Sequence, residues 1–216
     1  MTQKLLELIG KQFPLSEKDV GEYGSMKVNG MKFTVRAYRA KGLGHVSVMN
    51  ATGFFGLMKM DTLIITPTRV DMPLLSYDRV SAMGNDTLIF EIYDTFLEKQ
   101  SLSSVDKVKQ EHSYLAEHDL GEHWYDSIKL SQSLSKKGKK AQSVPFDGLA
   151  KKYVKAYLLD AMSAPKSDRV SKRAKADVYV EGLLTHGGPS TDVFKKGIGE
   201  EKTAELFRKH LFNTRI

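Results

Sequence analysis

The chain has 216 residues, 41% of them hydrophobic and 27% charged, with a formal net charge of +7 and no cysteine. That length supports one large domain or two small ones, with a sizeable core either way. Lack of cysteine excludes a disulfide framework, a thiolate nucleophile and a cysteine-ligated iron–sulfur cluster. The basic balance favours acidic partners: nucleic acid, an anionic membrane face or an acidic protein.

The N-terminal stretch MTQKLLELIG reads as an amphipathic helix carrying Lys4 and Glu7. It lacks the apolar centre and small-residue cleavage site of a signal peptide, which points to the cytoplasm. No apolar run approaches the roughly 18 residues of a spanning helix, so no membrane partner is expected. Residues 31–40, MKFTVRAYRA, alternate in the period-2 manner of a half-buried strand. HVSVMNA (45–51) follows the turn signal KGLG, and MDTLIITP (60–67) is a β-branched run ended by proline. LLSYDRVSA and DTLIFEIYD are joined by MGN, a hairpin signal. Strands linked by short turns imply an antiparallel sheet.

The second part is helical. SSVDKVKQEHSYLAEH (103–118) is a polar helix, and DSIKLSQSLS (126–135) reads as a further strand. In FDGLAKKYVKAYLLDAM (146–162), Phe146, Leu149, Tyr153, Val154, Tyr157, Leu158 and Ala161 form one apolar face at helical spacing. DRVSKRAKADVYVEGLL (168–184) is a helix ended by Gly187-Gly188, and EEKTAELFRKHLF (200–212) is the last. With no linker and no repeat, residues 1–216 read as a single α+β domain, helices covering a central sheet.

The common catalytic motifs are absent: no P-loop, no dinucleotide fingerprint after a strand and no nucleophile elbow. His112, His118 and His123 cluster in EHSYLAEHDLGEH, but their spacing matches no zinc pattern, and no metal is assigned. Two basic runs, SKKGKK (135–140) and KSDRVSKRAKAD (166–177), hold much of the charge excess. Each reads either as a solvated face or as a docking surface.

The carboxylates Asp78 and Asp94 lie within the candidate hairpin. An unpaired carboxylate on an apolar face is costly unless it is protonated, hydrogen-bonded or lining a cavity. With a three-residue turn the two would share one side of the sheet; with a two- or four-residue turn they would lie on opposite sides. The three-residue turn is the preferred reading, and it leaves Glu91 off the acidic face. Alternatively, Asp94 caps the strand end and Asp78 sits on a wet face.

Three segments in order resemble the ferredoxin-dependent bilin reductases and their relative, red chlorophyll catabolite reductase. They are LIITPTRVDMPLLSYDRV with LIFEIYD, then KKYVKAYLLDAMSA, then STDVFKKGIGEEKTAELFRKHLF. The resemblance implies an α/β/α three-layer sandwich with a central antiparallel sheet and a linear tetrapyrrole, such as biliverdin, held between the sheet and the C-terminal helices. It also implies that no cofactor is bound: external reduced ferredoxin or flavodoxin supplies single electrons in a radical mechanism, and buried carboxylates supply protons.

On this resemblance Asp94 matches the catalytic aspartate at the strand end, and Asp78 matches a substrate-facing position. His186 is a candidate substitute proton donor, since histidine titrates near neutral pH; the alternative is an exposed helix-end histidine. Arg69 is expected to pair with bilin propionates, and Thr68, Met72 and Ser76 to line the substrate site. Thr68 replaces a glutamate that some members carry. Met49, Met58, Met60 and Met72 flank the same strands, where methionine suits either a flexible ligand or a core. The basic runs suit docking of an acidic ferredoxin. Two other readings remain: a non-catalytic bilin- or heme-binding protein on this fold, and a nucleic-acid binder, which the scarcity of aromatics beside the basic runs disfavours.

Overall fold

The computed structural model describes residues 1–139 and 143–215. It is an α/β/α sandwich built on an eight-stranded, wholly antiparallel sheet. The strands are β1 (Leu15–Lys18), β2 (Met26–Val28), β3 (Met31–Ala40), β4 (Gly44–Gly53), β5 (Met58–Pro67), β6 (Leu74–Ala82), β7 (Asn85–Tyr93) and β8 (Leu134–Lys139). They lie in the order β1-β3-β4-β5-β6-β7-β8, with the short β2 beside the other end of β3. Sequential hairpins keep neighbours in sequence as neighbours in space, as short turns require.

Among the described residues, six α-helices cover the two faces. Helix α1 (Thr2–Gln12), α2 (Ser103–Glu111) and α3 (Ser143–Ser163) form one layer. The opposite layer holds α4 (Arg169–His186), α5 (Pro189–Ile198) and α6 (Glu200–Glu205), the last continuing as a π-helical turn over Leu206–Leu211. Successive strand residues point to opposite faces, so each strand feeds two different cores. On β6, Leu75 and Tyr77 enter the α1/α3 core, while Leu74 faces the α4–α6 layer. Phe90 stacks on Tyr153 of α3 at 4.0 Å and 20° and meets Tyr77 at 5.1 Å. The fully buried Tyr153 and Tyr157 donate their hydroxyls to Gln132 O (2.7 Å) and Pro73 O (2.6 Å). Buried phenols need such partners.

Helix α4 is anchored by a buried cation. Lys172 Nζ lies 3.0 Å from Asp71 Oδ1 and donates to Met72 O (2.7 Å) and Thr95 O (2.5 Å). Asp71 also accepts from the Leu97 and Glu98 amides at 2.9 and 2.8 Å. Burial pulls the Lys172 ammonium below its ordinary value, and Asp71 opposes that pull. One side chain thus ties α4 to the loops after β5 and β7.

The structure revises several expectations. The β6–β7 hairpin turns on two residues, Met83 and Gly84, because Ala82 pairs directly with Asn85. Both turn residues have positive φ (50° and 74°), the twist that suits a tight antiparallel hairpin. The three-residue turn is therefore incorrect, and every facing deduced from it inverts. The 126–135 stretch is a 3₁₀ turn at Asp126–Ile128, with strand only from Leu134. The 103–118 helix stops at Glu111, and α5 is a helix that sequence patterning did not separate.

Candidate functional site

A cavity of about 260 Å³ lies between the sheet and the α4–α6 layer. Its floor is the alternating row Thr62 and Ile64 on β5, Ser76 and Asp78 on β6, Glu91 and Tyr93 on β7. Register puts these on one face, since Thr62 pairs with Asp78 and Ser76 with Glu91. The roof comes from Tyr179 and Leu183 of α4 and from Phe207, Leu211 and Phe212 at the C-terminal end. Met49 and Met60 close it from the sheet side. It is an aromatic and aliphatic chamber with two carboxyl groups on its floor.

Asp78 is half-buried. Its Oδ1 accepts from Thr62 Oγ1 at 2.5 Å and its Oδ2 from Ser76 Oγ at 3.3 Å. Burial pushes its carboxyl up to about 6, and the nearby Glu91 adds to the rise; the two hydroxyls pull the other way. Glu91 Oε2 accepts from Tyr93 OH at 2.5 Å. Its Oε1 is buried, has no hydrogen bond among the described residues and lies 3.9 Å from Lys129 Nζ. The floor therefore pairs a carboxyl that keeps its proton up to about pH 6 with a second oxygen still open to a donor.

The side wall is a chain of stacked rings. Tyr93 stacks on Tyr179 at 4.1 Å and meets Tyr125 edge-on at 5.5 Å. His123 lies parallel to Tyr125 at 4.8 Å, and its buried Nδ1 has no hydrogen-bond partner among the described residues. Burial raises the Tyr93, Tyr125 and Tyr179 phenols, so all three stay neutral. Trp124 locks this wall to α4, donating Nε1–H to Gly187 O at 3.0 Å. Gly182 makes room for it: a Cβ there would come within 2.1 Å of the indole.

Of the expected catalytic and substrate-lining residues, the structure brings Asp78 and Ser76 into this chamber, with Met49 and Met60 of the flanking methionines. Asp94 lies beyond the end of β7, exposed, where its Oδ1 accepts from the Phe96 amide at 3.2 Å. It forms a turn and does not line the cavity. Glu91, set aside on the three-residue turn, is the acid that shares the Asp78 face. His186 is exposed and packs against Trp124 at 5.4 Å rather than entering the cavity. Met72 is fully buried in the α1/α3 core. Sequence reasoning passed over Thr62, Glu91, Tyr93, His123, Tyr125 and Tyr179. The helical spacing of Ala176, Tyr179, Val180 and Leu183 was a legible signal for the roof; for the floor, the signal depended on turn length.

Thr68 and Arg69 fall in a separate, open groove of about 1690 Å³ at the far end of β5. Its rim carries Arg39, Lys41, Arg69, Lys166, Arg169 and Arg173, and among the described residues none of these six pairs with a carboxylate. Lys18, beside them, is pulled below its ordinary value by burial and then by Arg173 and Lys209. The basic runs contribute unevenly. Lys172 is buried, and Lys136 is buried against Glu117 and Leu115 O. Lys140 lies outside the described residues. Groove and cavity back onto each other: Asn213 lines the groove and Phe212 the cavity, and His45 and Met49 lie on one face of β4.

No family model matches the chain, and no curated protein matches it. Among solved structures, it is similar to phytochromobilin synthase from tomato in complex with biliverdin. The TM-score is 0.79 at 13% identity, covering 99% of this chain and 82% of that one. At that identity the likeness speaks to architecture, and the chain has the fold of tomato phytochromobilin synthase over nearly its whole length.

Proposed function

We propose that this chain reduces a linear tetrapyrrole bound in the chamber between the sheet and α4–α6. Reduced ferredoxin or flavodoxin supplies the electrons, and Asp78 acts as proton donor. The observation that carries the reading is a carboxyl held near pH 6 on the floor of an aromatic cavity, in a fold shared with a biliverdin complex. Reduction of one double bond takes two electrons and two protons. A general acid must hold its proton near working pH and release it on demand, and a carboxyl raised by burial meets both needs. Asp78 gives one proton, and the second comes from solvent water. Glu91 Oε1, buried without a hydrogen bond among the described residues, accepts a pyrrole N–H and orients the ring. Tyr93, Tyr179 and Phe212 supply stacking faces for a planar conjugated ligand. The cations of the groove, unpaired among the described residues, suit an acidic electron donor, and Asn213 and Phe212 line groove and chamber in turn.

The test is optical. Biliverdin added to the protein should shift its visible absorption, and reduced ferredoxin or flavodoxin added without oxygen should then bleach or move that band. Turnover should fall as pH rises through 6, where Asp78 loses its proton. A shift without bleaching would make this a bilin-binding protein on the same fold; no shift with any bilin would end the reading. Arg69→Glu with Arg169→Glu should raise the donor KM and weaken its salt dependence, leaving the bilin-bound spectrum intact.

A further inference from the structure

The opposite end of the sheet carries an apolar tip that the chamber does not use. The β4–β5 connection exposes Phe54, Phe55 and Leu57, and the β6–β7 turn exposes Met83. Phe55 is fully exposed and Met83 is 94% exposed. Register makes these turns neighbours, because Gly53 pairs with Met58, Met58 with Ala82 and Ala82 with Asn85. Phe54, Phe55 and Met83 all adopt left-handed backbone (φ 50°, 55° and 50°), which bulky side chains rarely take. Single exposed apolar residues are ordinary, but four gathered on one edge mark a contact surface.

The surroundings of that tip are cationic. Lys27, Lys32 and Lys59 lie in one row across β2, β3 and β5, joined through Thr52 of β4. On β8 the row reaches Gly138, and Lys137 and Lys139 on either side of it point to the other face; all five lysines are exposed. Lys27, Lys32, Lys59 and Lys137 pair with no carboxylate among the described residues. The acid in that row, Asp86, is buried against Arg79.

We propose that this edge docks on an anionic membrane surface. Phe54, Phe55, Leu57 and Met83 enter the headgroup–acyl boundary, and the lysines behind them meet lipid phosphates and carboxylates. Apolar tips backed by unpaired cations are the chemistry of an interfacial binder that lies on a bilayer rather than spanning it. A second copy of this chain would set lysine row against lysine row, and nucleic acid gives no role to Leu57 and Met83. On the chamber side of the same edge, Met60 and Val80 line the cavity two residues in from Met58 and Ala82. Docking would hold that end of the cavity close to the lipid.

The experiment is co-sedimentation of the full chain with phosphatidylcholine vesicles, with and without phosphatidylserine. The protein should pellet with serine-containing vesicles, less so as salt rises, and only weakly with neutral ones. Phe54→Ser with Phe55→Ser, and separately Lys32→Glu with Lys59→Glu, should each weaken binding about tenfold or more. These residues are exposed, so the urea midpoint should not move. Equal binding to neutral vesicles, no binding at all, or binding that survives both pairs of changes overturns the proposal. A concentration-dependent dimer abolished by the Phe54 and Phe55 changes would assign the patch to a second copy and overturn it as well.

Discussion

The two faces of one sheet have opposite characters. On the α1/α3 side, Tyr77, Phe90 and Tyr153 close into a stacked core, and the Tyr153 and Tyr157 hydroxyls are spent on backbone carbonyls. On the α4–α6 side, the same strands present Thr62, Ser76, Asp78 and Glu91 beneath a roof that leaves room for a ligand. Tyr77 and Asp78 are adjacent in sequence and belong to different environments. A packed core and a polar cavity floor thus share β6 and β7 without sharing a face.

The strongest way to sharpen this contrast is Asp78→Asn. It should keep the bilin-bound spectrum and lower single-turnover reduction by about 10²–10⁴-fold, the usual contribution of a positioned general acid. On the core side, Phe90→Ala should cost about 3–5 kcal/mol in urea unfolding with little change in bilin affinity per folded molecule. Lys172→Met cuts across both faces. It leaves Asp71 without its cation and frees the start of α4, costing about 3–5 kcal/mol in urea unfolding and weakening bilin binding too.

A smaller effect follows from Asp78 itself. Its folded carboxyl is raised to about 6, while an unfolded aspartate titrates near 3.9, so the folded state binds the proton more tightly. The stability that the protonated group contributes is complete below about pH 4 and is lost as pH rises through 6. Asp78→Asn should therefore flatten urea-unfolding stability between pH 4 and 7 and stabilise the protein at pH 8 by about 1–2 kcal/mol. The smallest effect is expected at Asp94. Exposed and outside the chamber, it should tolerate Asn with turnover within about twofold of the parent; a collapse of activity there would move the acid role back to the strand end.

Much of the architecture was legible. β3 falls at residues 31–40 as its alternation predicts, β6 at 74–82 beside its hairpin signal, and the 146–162 apolar face lies within α3. Periodicity reports a local geometric rule, which is why it survives into the fold. Residues 126–135 failed as a strand because their order comes from distant partners: Leu130 N donates to Ile92 O, and the Ser133 hydroxyl accepts from Ile92 N. The basic runs misled for a related reason. A lysine in a charged stretch reads as solvated, yet Lys172 and Lys136 are enclosed by acceptors brought from remote segments. The resemblance to bilin reductases pointed to the layer arrangement; it gave the catalytic role to Asp94, which lies outside the chamber, and a substrate-facing place to Asp78, which lines it.

The sequence by itself determined the strand-then-helix order, the apolar faces that build two cores, and the presence of acids in the β6–β7 hairpin. Tertiary structure decided which acids face the chamber. Side chains alternate with period 2, so one residue more or fewer in a turn exchanges the two faces. Met83 and Gly84 close that hairpin in two residues, which sets Glu91 beside Asp78 and carries Asp94 past the strand end into solvent.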